Sequence, residues 1–278
     1  MATDPAREVA AIESSARRVR TPTGDGTMVW RIWGAGPPLV LLHGASGSWT
    51  HWIRNVPSLA TRFSVHVPDM PGFGDSDAPP PPHTAEGLAA LVAAGIDGVL
   101  PPPRGLDIAG FSFGGIVGGI VAARLGRRVG TLVLLGPGGF GLPRAPMRAL
   151  VPITPGMTAA EVAQAHRENL HVMMIADRAR IDDLAVFLQA ANVARARFRS
   201  GGIPESDALA RALPAVTARL AGIWGARDAF VGPDVEERRR RLAAHRPDVD
   251  FRVLDAGHWV TYEAADEVNA ALLEMLRR

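Results

Sequence analysis

The chain of 278 residues contains no cysteine, no lysine and a single tyrosine. The absence of cysteine excludes disulfide bonds, thiolate metal sites and a cysteine nucleophile. With these residue types missing, little titrates between neutrality and the pKa of arginine. A formal net charge of only +2 therefore produces a sequence pI near 10.1, and this value does not indicate a nucleic-acid partner.

The densest basic stretch is also unlike a nucleic-acid-binding surface. Arg238–Arg241 follow Glu236 and Glu237 at the i,i+4 spacing of ion pairs on a solvated helix. The region has no aromatic cluster on which bases could stack. We expect these arginines to be solvated and the protein to have no nucleic-acid partner.

One long uncharged run, Ile108–Ala123, contains small-residue spacings that packed transmembrane helices use. It is short for a bilayer and is bounded by Asp107 and Arg124, so a helix lying close on a sheet is the favoured interpretation. The first residues, Met1–Glu8, contain no apolar signal core. We expect a cytoplasmic protein that does not associate with membranes.

No metal or cofactor is expected. No pair of histidines has metal-ligand spacing supported by carboxylates. Gly136–Gly141 matches the G-x-G-x-x-G pattern of dinucleotide-binding loops, but Pro143 and Pro146 follow where a helix should begin. The motif also lies late in the predicted sheet, so a flexible exit from a strand is favoured over a dinucleotide site.

Strand and helix patterns alternate along most of the chain. The predicted strands are 16–20, 28–33, 39–42, 64–67, 106–109, 131–135, 222–224 and 250–254. The predicted helices are 49–61, 85–100, 112–125, 234–244 and 263–276. This alternation predicts an α/β fold with a mostly parallel eight-stranded sheet flanked by helices, in which the first two or three strands form an antiparallel lead-in.

One interval breaks the alternation. Between residues 137 and 219 no strand is predicted, but helical patterns occur at 158–176 and 181–198. We expect a helical lid at 137–219, inserted after the sixth strand. The α/β core would then comprise residues 1–136 and 220–278.

The segment Leu106–Gly115 carries the strongest chemical signal. A buried strand leads into Gly-x-Ser-x-Gly and then into a helix of small residues. This is the pattern of a nucleophile elbow, in which the flanking glycines avoid collisions with the backbone and Ser112 lies at a helix N-terminus. The alternative is an ordinary small-residue loop.

A serine hydroxyl needs a base that is itself oriented by an acid. In folds with this elbow the partners follow in the order serine, acid, histidine. Asp228 follows a late predicted strand and His258 follows the last one, so both lie at the carboxyl edge of the sheet. Asp255 is the alternative acid, although a residue three positions before His258 would more naturally lie on the same loop.

Catalysis also needs N–H groups aimed at a developing oxyanion. The backbone N–H of Phe113 is the first predicted donor. The loop after the strand Leu39–Leu42 should supply the second, from Ala45 or, in reserve, Ser46. His43 is expected to brace this loop. A simple glycine turn is the alternative.

The chain resembles the α/β-hydrolase superfamily over nearly its whole length. The segments that carry the resemblance are His43-Gly44, Pro68–Ser76, the elbow, Asp228 and Gly257-His258-Trp259. Within the superfamily, the segment Trp49–Val56 and the tryptophan directly after the histidine are similar to the meta-cleavage product hydrolases and related carboxylesterases. The former cut carbon–carbon bonds in vinylogous diketo acids.

The sequence also departs from those carbon–carbon hydrolases. The resemblance implies a longer glycine-rich oxyanion loop and asparagine at two positions, where this chain has Phe111 and His51. It also implies a lid arginine that holds a substrate carboxylate. The candidates are Arg178, Arg180, Arg195 and Arg197. Superfamily dehalogenases and epoxide hydrolases have aspartate at the nucleophile position, so Ser112 argues against both.

The sequence therefore predicts a serine hydrolase that acts on small-molecule carboxylic esters through Ser112, His258 and Asp228. A carbon–carbon hydrolase of diketo acids is the alternative, and a binding protein on an inactive hydrolase scaffold is a third hypothesis. The expected pocket is largely apolar, with substrate contacts at Phe111, His51, Trp259, Met173, Met174 and Phe187. The sequence leaves open whether the protein is a homodimer.

Overall fold

A computed structural model describes residues 4–232 and 234–277. Residues 1–3 of the segment in which no apolar signal core is predicted therefore lie outside the described residues. In this part of the chain eight strands form one sheet. They are β1 (Arg17–Thr23), β2 (Gly26–Trp33), β3 (Pro38–Leu42), β4 (Ser64–Pro68), β5 (Leu106–Phe111), β6 (Val129–Leu135), β7 (Arg219–Gly225) and β8 (Asp250–Leu254). Each predicted strand is present and differs from its prediction only at the ends.

The strand order is β1-β2-β4-β3-β5-β6-β7-β8. Among the strands of the described residues, β2 alone is antiparallel to the rest of the sheet, because it pairs antiparallel with both β1 and β4. The remaining neighbours pair in parallel. The mostly parallel α/β fold with an antiparallel lead-in is therefore confirmed, and the carboxyl ends of β3, β5, β6, β7 and β8 lie at one edge.

Helices cover both faces of the sheet. They are α1 (Pro5–Ser14), α2 (Val56–Leu59), α3 (Ala85–Val99), α4 (Phe113–Leu125), α5 (Ala159–Met173), α6 (Asp183–Ala194), α7 (Ala208–Ala212), α8 (Val235–Ala243), α9 (Val260–Glu263) and α10 (Ala265–Met275). Of the described helices, none combines the length and apolarity that crossing a bilayer requires. The run Ile108–Ala123 is divided between β5 and α4.

The helix predictions differ from the structure at three places. The predicted helix at 49–61 is a 3₁₀ turn, Trp49–Trp52, followed by α2, because Pro57 cannot donate to a continuous helix and restricts the residue before it. The predicted helix at 263–276 is broken at Ala264. Helix α1 was not predicted, although Asp4 caps it by accepting from Ala6 N–H at 3.0 Å.

Successive strand residues face opposite sides of the sheet and enter two separate apolar cores. Val40 and Leu42 pack into the core beneath α3 and α4. Leu39 and Leu41 pack into the second core with α10 and the buried tryptophan Trp52. The sheet is thus buried on both faces, which leaves its carboxyl edge as the place for loops and ligands.

The interval between β6 and β7 contains α5, α6 and α7 and no strand. Helices α5 and α6 pack against each other, whereas α7 packs on α4. The α7 contact is close, since a Cβ at Gly119 would lie 2.2 Å from Leu209 Cδ1. The last helix of the interval therefore shares the apolar core beneath α4.

His66 makes the stability of this fold depend on pH. It lies within β4, 3% exposed, and its Nδ1 has no hydrogen-bond partner among the described residues. Burial, with smaller contributions from Arg104 and Arg17, lowers the pKa of His66 from 6.5 to about 4. Between these pH values the unfolded chain binds a proton at His66 that the folded chain does not.

We therefore expect the His66 contribution to stability to be complete above pH 6.5 and to be lost as the pH falls toward 4. The free energy of urea unfolding is measured at pH 7 and at pH 4 for both proteins. Its decrease between these pH values should be about 3 kcal/mol smaller in His66→Gln than in the wild type. Equal losses in the two proteins would contradict this assignment.

Candidate active site

Ser112 lies at the junction of β5 and α4. The strand ends at Phe111, the helix begins at Phe113, and Ser112 between them has a φ of 51°. A non-glycine residue in this region is strained by about 1–2 kcal/mol. A Cβ at Gly110 would lie 2.4 Å from the Gly114 carbonyl oxygen, and one at Gly114 would lie 2.3 Å from a β3 carbonyl. The predicted sharp strand–turn–helix is confirmed, together with the reason for its glycines.

Three side chains form a hydrogen-bonded chain at the carboxyl edge of the sheet. Ser112 Oγ lies 2.8 Å from His258 Nε2, and His258 Nδ1 lies 2.8 Å from Asp228 Oδ2. His258 and Asp228 are 4% and 1% exposed. The other Asp228 oxygen accepts from the N–H of Phe230 at 2.9 Å, which fixes the carboxylate.

The alternative acid lies elsewhere. The Asp255 carboxylate is 88% exposed and pairs with Arg227 at 2.9 Å. Its position near His258 in the sequence does not bring it to the ring, because the backbone turns after β8 and directs the side chain to solvent. The geometry therefore places Asp228, and not Asp255, beside His258.

The backbone N–H groups of Phe113 and Ala45, the two predicted donors, donate to no acceptor among the described residues. Both residues line the same cavity as Ser112. The Phe113 N–H is at the first position of α4, where a helix has no internal partner for it and favours negative charge. Ser46, the reserve candidate, also lines the cavity and has a φ of 49°.

His43 holds the loop that carries Ala45. Its Nδ1 donates to the Gly44 carbonyl oxygen at 2.8 Å, and its Nε2 accepts from the Met70 N–H at 2.9 Å. Burial lowers the pKa of His43, with Asp69 opposing the effect. A neutral ring bonded at both nitrogens has no proton to exchange with a substrate, so the contacts are those of a brace.

His51 supports the same loop from the opposite side. Its Nδ1 accepts from the Gly44 N–H at 3.2 Å. Its ring centroid lies 5.5 Å from that of Phe111 and 5.0 Å from that of Trp259. Burial lowers the pKa of His51 well below its ordinary value, and two neighbouring imidazoles add to the effect. His51 therefore carries no charge beside His258, so it does not repel a positive charge that forms on the His258 ring.

Ser112 and His258 open onto a cavity of about 280 Å³, near the lower end of the range for small-molecule sites. The interval between β6 and β7 supplies much of its wall. Four of the predicted substrate-contact residues line it, namely Phe111, His51, Met173 and Met174.

The two other predicted contact residues, Trp259 and Phe187, do not line this cavity. Trp259 is fully buried behind His51, to whose carbonyl oxygen its Nε1 donates at 3.1 Å. Phe187 is 39% exposed and lines a separate surface pocket. Residues two apart on a helix face different directions, so Gln189 reaches the cavity from α6 whereas Phe187 does not.

The predicted lid arginines do not reach the cavity either. Arg178 and Arg195 form ion pairs at the surface. Arg180 and Arg197 donate to backbone carbonyl oxygens. None of the four is among the residues that line the cavity within the described part of the chain.

The arginines at the cavity are Arg144 and Arg238, which the sequence did not single out. Arg144 lies over the ring of Phe230 and pairs with Glu205 at 2.6 Å. Arg238 is 6% exposed, so the expected solvated position is wrong for this residue. The rest of the run, Arg239–Arg241, does form surface ion pairs with the preceding glutamates.

Gly136 lies at the site as well, although the sequence analysis gave it no role beside Asp228 and His258. Its φ is +59°, and a Cβ there would lie 3.3 Å from Asp228 Oδ2 and 3.5 Å from His258 Nδ1. Its position directly after β6, at the carboxyl edge of the sheet, was the available signal. The motif that begins at Gly136 opens no helix, and no three carboxylate or imidazole groups of the described residues cluster as metal ligands.

Comparison with known proteins places the chain in a family. Residues 39–271 match the family described as "Alpha/beta hydrolase family". The chain is 29% identical over 291 residues to the 2-hydroxy-6-oxo-6-phenylhexa-2,4-dienoate hydrolase of Burkholderia cepacia, covering 95% of this chain and 97% of that protein.

A second relative is longer than this chain. It is the dihydrolipoyllysine-residue acetyltransferase component of the acetoin cleaving system of Pseudomonas putida, 30% identical over 255 residues. The match covers 87% of this chain but 64% of that protein, so the chain spans less than two thirds of its length. Among solved structures, naproxen esterase (carboxylesterase NP) from Bacillus subtilis has a TM-score of 0.75 at 19% identity, with 100% of both chains covered, and it supports the fold.

Proposed function

The chain belongs to the alpha/beta hydrolase family, and we propose that within this family it is a serine hydrolase acting on carboxylic esters. The observation that carries the proposal is the continuous chain of hydrogen bonds from Ser112 Oγ through His258 to Asp228. It opens onto a cavity that is also lined by Phe113 and Ala45, whose N–H groups donate to no acceptor among the described residues. A hydroxyl, a neutral base and a buried acid in this order are what acyl transfer needs.

The proposed reaction begins with the Ser112 hydroxyl. Its oxygen attacks the acyl carbon while its proton passes to His258 Nε2. The Asp228 carboxylate, which accepts from Nδ1–H, orients the ring and stabilises its positive charge. The ester C–O bond then breaks and His258 gives the proton to the leaving alcohol. This leaves the acyl group on Ser112.

Water completes the cycle. It gives a proton to His258 and attacks the acyl carbon, and the Ser112 oxygen leaves and recovers that proton. In both steps negative charge develops on the former carbonyl oxygen. We assign its stabilisation to the N–H groups of Phe113 and Ala45, since preorganised donors of this kind contribute about 3–4 kcal/mol each.

We also infer that residues 137–219 act as the lid of this site. Met173 and Met174 lie at the end of α5, and Gln189 and Val193 lie on α6, and all four line the cavity. Side chains that cover the cavity from this interval limit the access of bulk water to the acyl carbon.

A carbon–carbon hydrolase is the second candidate. It is favoured by the similarity to the Burkholderia cepacia hydrolase over 97% of that protein's length. The same nucleophile and base would act, but the bond that breaks joins two carbons and the substrate is a vinylogous diketo acid.

Steady-state assays separate the two candidates. Purified protein is given p-nitrophenyl butyrate and, separately, a yellow ring-fission diketo acid. Release of p-nitrophenolate that is lost in Ser112→Ala supports the ester hydrolase, and a much larger kcat/KM for bleaching of the diketo acid would favour the second candidate. Turnover of neither substrate would contradict both.

The Gly136→Ala variant tests whether the site tolerates a methyl group behind the acid and the base. The new Cβ would crowd Asp228 Oδ2 at 3.3 Å and touch the His258 ring at 3.5 Å, and small displacements of catalytic groups are costly. We expect kcat for p-nitrophenyl butyrate to fall about 10-fold. Gly126→Ala is the matched control, because Gly126 has a φ of +56° but nothing within 4 Å.

Both variants should lose about 1 kcal/mol of stability from the positive φ, and only Gly136→Ala should lose activity. An equal kcat in the two variants would show that the space beside Gly136 does not matter to the reaction.

A further inference from the structure

Arg238 is a buried cation with few partners. It lies on α8, is 6% exposed and lines the cavity shared by Ser112 and His258. Its Nη1 donates to the backbone oxygen of Asp234 at 3.2 Å. Among the described residues this is the only hydrogen bond that its guanidinium makes, and no carboxylate lies within ion-pair distance of it.

A guanidinium has five N–H donors and remains charged at neutral pH. Removing one from water without an anionic partner is unfavourable. Burial lowers the pKa of Arg238, and the more distant carboxylates of Asp234 and Asp228 oppose this effect. Most of the hydrogen-bonding capacity of this side chain is therefore unused among the described residues, and Arg238 lines the cavity.

The charge of the cavity wall is one-sided. The lining residues include two arginines and no aspartate or glutamate within the described part of the chain. Arg144 already has a partner in Glu205. Arg238 is thus the unpaired positive charge of the cavity, and it faces a space that also contains the Ser112 hydroxyl.

Packing alone does not account for this arrangement. The neighbouring residues of the same helix, Arg239–Arg241, are exposed and pair with glutamates one turn earlier. A side chain needed only to fill space at this position could be apolar at lower desolvation cost.

We propose that Arg238 binds a carboxylate group of the substrate, so that the esters preferred by this enzyme carry an anionic group in addition to the scissile carbonyl. The planar fork of the guanidinium matches a carboxylate with two parallel hydrogen bonds. The low-dielectric wall of the cavity strengthens this contact relative to one in water. The inference rests on the proposed function and names the substrate class of the same site.

The experiment compares charged and uncharged substrates of the same shape. Monomethyl succinate, glutarate and adipate place a carboxylate on the acyl side, and 4-acetoxybenzoate places one on the leaving group. The corresponding primary amides are the neutral controls. Release of methanol, or of 4-hydroxybenzoate and 4-hydroxybenzamide, is measured for the wild type, Arg238→Gln and Arg241→Gln, the last being an exposed arginine on the same helix.

We expect the wild type to prefer at least one carboxylate substrate over its amide. Arg238→Gln should lower kcat/KM for that substrate between about 10-fold and 100-fold, mainly through KM, the range for a buried hydrogen bond to a charged group. In Arg238→Gln the kcat/KM for the amide should change less than about 3-fold. In Arg241→Gln the kcat/KM for both substrates should change less than about 3-fold. Arg238→Lys, which keeps the charge without the fork, should recover part of the loss.

Other outcomes overturn the inference. An equal loss of kcat/KM for the carboxylate and the amide in Arg238→Gln would mean that Arg238 acts on the fold or on Asp228. If the wild type showed no preference for a carboxylate substrate, the proposed substrate class would be wrong. Neutral p-nitrophenyl butyrate distinguishes these failures from failure of the proposed function. If the wild type and Arg238→Gln both turn over this ester, the proposed ester hydrolase still stands. If the wild type does not turn it over, the proposed function itself is contradicted.

Discussion

Replacing Ser112 by alanine is expected to reduce kcat for p-nitrophenyl butyrate by about 10⁶-fold, the loss seen when a triad nucleophile is removed. Alanine leaves His258 and Asp228 in place but removes the atom that forms the acyl-enzyme. The residual rate over water would come from the N–H groups of Phe113 and Ala45 and from substrate binding. The measurement is the steady-state rate with freshly purified protein.

The Ser112→Ala protein should be at least as stable as the wild type, because the Ser112 hydroxyl bonds to His258 and makes no cap hydrogen bond to α4. A urea-unfolding midpoint measured beside the rate separates loss of chemistry from loss of fold. Ser46→Ala is a matched control, since Ser46 also lines the cavity at a positive φ. If Ser112→Ala kept a tenth of the wild-type kcat, another group would be the nucleophile.

The second large effect is expected for Asp228→Asn, with a fall in kcat of about 10⁴-fold. An asparagine amide donates where the carboxylate accepts, and it therefore favours the His258 tautomer with its proton on Nε2. That nitrogen can no longer take the Ser112 proton. The geometry is nearly unchanged, so the loss should appear in kcat rather than in the circular dichroism spectrum.

Asp255→Asn is the control for this result. Asp255 is exposed and paired with Arg227, and its replacement should change kcat less than about 3-fold. If Asp255→Asn were the inactive variant and Asp228→Asn the active one, the identity of the acid would have to be reversed.

The sequence was sufficient to predict the fold because its signals are local and mutually consistent. Each strand is an apolar run bounded by turn residues, and the alternation with helices fixes a mostly parallel sheet. The same is true of Ser112, Asp228 and His258, since each follows a strand and carboxyl ends of parallel strands meet at one edge. The break of the predicted helix at 49–61 depends on Pro57, a signal that was also available.

The wall of the cavity could not be predicted in the same way. Which face of α6 turns toward Ser112 depends on how the helix packs. The sequence therefore points to Phe187 and gives no signal for Gln189. Trp259 next to His258 in sequence lies behind His51 in space. Arg238 was read as part of a solvated run because the ion-pair spacing of α8 gives no sign that one side chain of four faces inward.

Labelling with a fluorophosphonate tests most directly whether Ser112 is an activated nucleophile. The reagent forms a stable phosphonyl ester with a serine whose proton a neighbouring base can remove. Peptide mapping of the wild-type protein should locate one adduct per chain on Ser112, and Ser112→Ala should remain unlabelled. An unlabelled wild type, or an adduct on Ser46 or another serine in its place, would contradict the serine hydrolase.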